Sequence, residues 1–157
     1  MIRKMATSLF VLFLVGTGSI SIASAISNQP FKTPDTKQSE QWKVELDEVK
    51  YDSKMSRPIK GENEMYSLKI INVGKEVYDV EFETYRDEPN TKTKFGLSLQ
   101  EQRKGVFKEG MNVHFANFPI HVKAKTFEVE VSWHDKPVNI KNGREFKQTF
   151  TFTRPND

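Results

Sequence analysis

The chain has no cysteine. That excludes a disulfide-stapled scaffold, thiol catalysis, a cysteine-built zinc site and a cysteine-linked lipid anchor. It has no second hydrophobic span beyond the N-terminal one. It has no Asp-rich twelve-residue loop of the EF-hand type and no nucleophile elbow around Ser67, Ser98 or Ser132. Its three histidines, His114, His121 and His134, offer no pair with metal-ligand spacing on one short element. No convincing amphipathic helix is present, and only Glu101 to Glu109 could hold one helical turn.

A strong excess of either charge is missing too. The 157 residues carry 24 Lys+Arg against 21 Asp+Glu, a formal net charge of +3. Arg3 and Lys4 are the only charges in the first 25 residues, so removing that segment leaves 22 basic and 21 acidic groups, a net of +1. Such near balance does not make the concentrated basic surface that nucleic-acid binding needs.

What is present first is an export signal. A short basic segment, Met1 to Met5, precedes the apolar run Leu9 to Val15, and Ala23-Ser24-Ala25 supplies small residues at the peptidase positions. The expected product starts at Ile26 and works outside the membrane, secreted or in the cell envelope, touching the membrane only through its export signal. A retained anchor is the alternative. Without disulfides, the remaining 132 residues must be held together by their core, which is feasible at that size.

Residues 26–40 read as a flexible linker, polar and without periodicity, with Pro30 and Pro34. From 41 to 153 the apolar period is two. Trp42, Val44 and Leu46 alternate with charged residues, and a phase slip near Asp47-Glu48 marks a bulge or strand break. Tyr66, Leu68 and Ile70 follow. Tyr78, Val80, Phe82 and Thr84 then share an inward face, with Asp79, Glu81 and Glu83 outward. Phe95, Leu97 and Leu99, then Met111, Val113 and Phe115, then Ile120, Val122 and Ala124 make further sets. Phe127, Val129, Val131 and Trp133 form the cleanest strand. Asn142-Gly143 signals a hairpin between Val138–Ile140 and the strand 146–152. The last residues, 154–157, read as a tail. Seven or eight short strands of this kind make an all-β antiparallel sandwich, with a small barrel as the other closure.

The run Tyr66 to Phe82, with its Asn72-Val73-Gly74 turn, resembles the second and third strands of bacterial immunoglobulin-like accessory domains. Pro119 to Trp133 is similar to their later strands. The resemblance implies an immunoglobulin-like sandwich that binds ligands, spaces domains or pairs with partners, and is seldom catalytic alone.

In that order the Tyr78 strand neighbours the Phe127 strand. Asp79, Glu81, Glu83, Glu128 and Glu130 then share one exposed face, flanked by Lys94 and Lys147, while Lys43, Lys69, His121, Lys123 and Lys125 face out from the opposite sheet. The acidic face is a binding candidate for a cationic extracellular or envelope protein. A second candidate is the apolar bend Phe115 to Pro119, in which Phe115 and Phe118 would form a recognition tip. A cell-wall polysaccharide module and a small divalent-metal-binding sandwich, with cations held on the acidic face or copper held through Met111 and His114, are the alternatives. No catalytic residue, metal ligand set or cofactor is assigned, and no nucleic-acid partner is expected.

Overall fold

The computed structural model describes residues 29–88, 90–137, 139 and 143–155. The export leader, Asn142 of the expected hairpin and the last two residues lie outside them.

Eight strands make two four-stranded antiparallel sheets among the described residues. The strands are β1 (Asp35–Gln38), β2 (Trp42–Glu48), β3 (Asn63–Asn72), β4 (Val77–Asp87), β5 (Lys94–Phe107), β6 (Asn112–His121), β7 (Thr126–His134) and β8 (Glu145–Thr153). The first sheet runs β1-β2-β3-β6 and the second β5-β4-β7-β8. The two-residue period expected from the sequence sends Trp42, Val44, Leu46, Leu68 and Ile70 of the first sheet inward. They meet Val80, Phe82, Phe127, Val129, Val131, Phe150 and Phe152 of the second. Trp42 sits at one end of this core, its ring 5.9 Å from Phe82, 5.8 Å from Phe107 and 5.7 Å from Trp133.

A buried asparagine ties that end together. Asn72 Nδ2 donates to the carbonyls of Lys75 and Phe107, at 3.0 and 2.9 Å. Its Oδ1 accepts from Gln41 Nε2 at 2.6 Å and Gly74 N at 3.0 Å. All its polar capacity is used at the point where the chain leaves the first sheet for the second. Gly74 is required there, because a Cβ would stand 2.8 Å from the Glu40 carbonyl oxygen.

Several expectations change. The 26–40 stretch is not simply a linker. Phe31 is buried, its N–H donates to the Tyr66 hydroxyl at 3.1 Å, and β1 pairs with β2 from Asp35↔Leu46 to Gln38↔Lys43. Glu101 to Phe107 belongs to β5 rather than to a helical turn. The phase slip at Asp47-Glu48 is the end of β2. The separate sets at 111–115 and 120–124 merge, since β6 covers 112–121 and Val122 and Ala124 lie in the following turn. Arg154 is not a free tail: its N–H donates to the Lys125 carbonyl at 2.8 Å.

The inward position expected of Tyr78 is also overturned. Val77 is buried in its place, and the Tyr78 hydroxyl donates to Glu76 Oε1 at 2.5 Å. Asp79, at φ 49°, is an extra residue opposite β7 and reverses the phase. Its Oδ1 accepts the Gly105 N–H at 2.8 Å, where β5 makes its own bulge at φ 81°. Only glycine takes that conformation without strain.

Candidate functional site

The outer face of the second sheet is built by register. β4 lies against β7 with Glu81↔Ser132, Glu83↔Glu130 and Tyr85↔Glu128, so these side chains project from the same side. β8 adds Lys147 beside Ser132 and Thr149 beside Glu130, and β5 adds Gln102 beside Glu81. The structure therefore brings Glu81, Glu83, Glu128 and Glu130 onto one face. Asp79 lies at its upper rim, turned toward Gly105 by the bulge.

Glu83 and Glu130 are direct cross-strand partners, an arrangement that costs stability unless compensated. Lys147 Nζ stands 2.7 Å from Glu130 Oε1, and Lys94 pairs with Glu128. These are the two lysines the sequence placed at the flanks. Both are more exposed than their acids, so the carboxylates lie against the sheet with lysines at the margin. The pKa of Lys147 is raised by its hydrogen bond to Glu130 and by that carboxylate's charge, with Glu83 adding to the field. Tyr85 is raised by partial burial, by its hydrogen bond to Glu83 and by the Glu83 and Glu130 charges. Glu81 has no ion pair among the described residues. It borders a shallow depression of roughly 300 Å³ with Asp79, Gln102, Lys104, Ser132, His134 and Glu145.

The second candidate does not form a tip. Phe115 and Phe118 lie within β6, paired with Leu68 and Tyr66. Phe118 is buried with its ring 5.3 Å from Phe127, and Phe115 packs against the same core. The irregularity that looked like a bend is one extra β6 residue within an unbroken strand.

Nor is the first sheet's outer face basic. Lys43 and Lys69 project there, but Glu45 and Asp47 alternate with them, and Lys43 pairs with Glu45 at 2.5 Å. His121 ends β6, while Lys123 and Lys125 occupy the turn beyond it. This face carries what sequence reading missed: a groove of roughly 770 Å³ under the 49–62 loop. In it Ser67 Oγ lies 2.9 Å from His114 Nε2. The two residues are 47 positions apart, so no local spacing could have signalled them. His114 Nδ1 meets no acid among the described residues. Met111 does not join His114, because its sulfur accepts the Lys108 N–H at 3.2 Å. Among the described residues no group of three His, Cys, Asp or Glu side chains is arranged to hold a metal ion.

The family model described as YozF-like secreted protein matches residues 26–157. A protein of Bacillus subtilis (strain 168), named "Uncharacterized protein YozF", is 33% identical over 132 residues, which cover 76% of this chain and 78% of the relative. No solved structure matches the chain.

Proposed function

The chain belongs to the family of YozF-like secreted proteins, and we propose that it is a non-catalytic interaction domain that engages a basic surface of an extracellular or envelope protein. Its secreted location is the family's own description. The surface is the outer face of the second sheet. The observation that carries the reading is the direct opposition of Glu83 and Glu130 in a ladder whose next pairs hold Glu128 and Glu81. A sheet selected only for stability avoids that placement. Carboxylates held flat by marginal lysines, with Tyr85 among them, suit guanidinium and ammonium groups arriving from outside.

The finer immunoglobulin-like reading draws support from strand order. Apart from β1, the sheets follow the order A-B-E and C′-C-F-G of such sandwiches.

The test is retention of an envelope protein on the immobilised domain, repeated with Glu81→Gln/Glu83→Gln and with added salt. The expected result is one basic protein retained by the native face, released by salt and lost from the double variant. Equal retention by the variant overturns the proposal, and so does retention of wall polysaccharide alone, which would restore the carbohydrate-binding alternative.

A further inference from the structure

We propose that the groove on the outer face of the first sheet binds a short peptide whose two termini are both free. Lys69 stands opposite Glu45 in the β2–β3 register, but Glu45 pairs instead with Lys43 on its own strand, at 2.5 Å. Lys69 therefore has no ion pair among the described residues. Asp47, opposite Ser67, has none either. Lys69 and Asp47, like Lys50 and Glu48 of the same groove, thus line one concavity with no ion pair among the described residues.

Their spacing suits a dipolar ligand. Lys69 and Asp47 are diagonal neighbours on one sheet face, a separation of about 7–8 Å between strand positions. Two to three extended residues span roughly 7–10 Å. The ligand's carboxylate meets Lys69 and its ammonium meets Asp47. Between them the hydrogen-bonded Ser67 and His114 present polar atoms to a peptide amide. Val49, Met55 and Ala116 supply apolar wall for small side chains, and the volume of roughly 770 Å³ falls in the range of small-ligand sites.

The wall is fixed by a specific device. The extra β6 residue lies between the Tyr66↔Phe118 and Leu68↔Phe115 pairs, at Ala116 and Asn117. Asn117 Nδ2 there donates to the Ser56 carbonyl at 3.1 Å, tying the 49–62 loop over the sheet. Among the described residues the buried Asn117 Oδ1 has no hydrogen-bond partner.

The test is a titration of the isotopically labelled secreted protein with trialanine, followed by NMR. Saturable shifts are expected at Ser67, Lys69 and His114. Trialanine capped at both ends should bind about tenfold more weakly or worse, as should Lys69→Gln and Asp47→Asn, each having lost a charge-assisted contact. Thermal melts establish that both variants stay folded. Glu83→Gln, on the other sheet, should bind trialanine unchanged, so this result and that of the partner test are separable. No shifts up to about 10 mM peptide, equal binding of the capped peptide, or unchanged binding by the folded variants overturns the proposal.

Discussion

Glu83 faces Glu130 directly across the β4–β7 ladder, and Lys147 holds Glu130 from β8 at 2.7 Å. Relieving the repulsion should stabilise the domain while harming recognition. Glu83→Gln, which keeps the acceptor for Tyr85, is expected to raise Tm by about 2 °C at low ionic strength, with the gain fading near 1 M salt. Lys147→Ala should lower Tm, and salt should partly restore it. Scanning calorimetry at two salt concentrations measures both.

Asn72 is fully hydrogen-bonded and buried where Gln41, Gly74, Lys75 and Phe107 converge. Truncation strands several backbone groups out of water's reach. Asn72→Ala is expected to cost about 3 kcal/mol, read as a lower urea midpoint with an unchanged slope.

Phe31 separates a structural N-terminal segment from a linker. Its ring lies 6.1 Å from Tyr66 and 6.4 Å from Phe127 within the core. Phe31→Ala should cost about 3–5 kcal/mol, where a tether residue would cost nothing measurable. Equilibrium unfolding of the single variant decides between the two.

Tyr66 is buried and its pKa is raised well above the ordinary tyrosine value, chiefly by desolvation. The fold keeps a proton that the unfolded chain loses above about pH 10. The resulting stability is complete below that pH and falls as pH rises further, by about 1.4 kcal/mol per unit while the difference persists. Lys147, also raised, acts in the same direction. Alkaline unfolding should therefore begin above about pH 10, and the phenolate absorbance of Tyr66 should appear only with it. Tyr66→Phe should flatten the alkaline limb.

The sandwich was legible where one strand kept one phase. Phe127, Val129 and Val131 alternate without interruption, and β7 spans Thr126–His134 as the pattern requires. The pairing of the acidic strands, with Lys94 and Lys147 beside them, could also be inferred from strand order. Tyr78 was misplaced because a single residue, Asp79, bulges and inverts the phase before it. Phe31, which precedes β1, was missed because one aromatic among polar residues has no periodicity to mark it as core. Phe118 looked like a loop residue because the β6 bulge breaks its alternation. The Ser67–His114 pair arises only when β3 and β6 become neighbours, which no local spacing encodes.

A protein partner on the outer face of the second sheet should lie within reach of a reactive side chain placed there. Site-specific photo-crosslinking in secreting cells tests it most directly. A photoreactive residue replaces Thr149 or Gln102 on that face, or Lys43 on the first sheet. Thr149 and Gln102 are expected to give one discrete protein adduct, abolished by Glu81→Gln/Glu83→Gln, and Lys43 none. An adduct from Lys43 alone, or none from Thr149 and Gln102, would contradict the account.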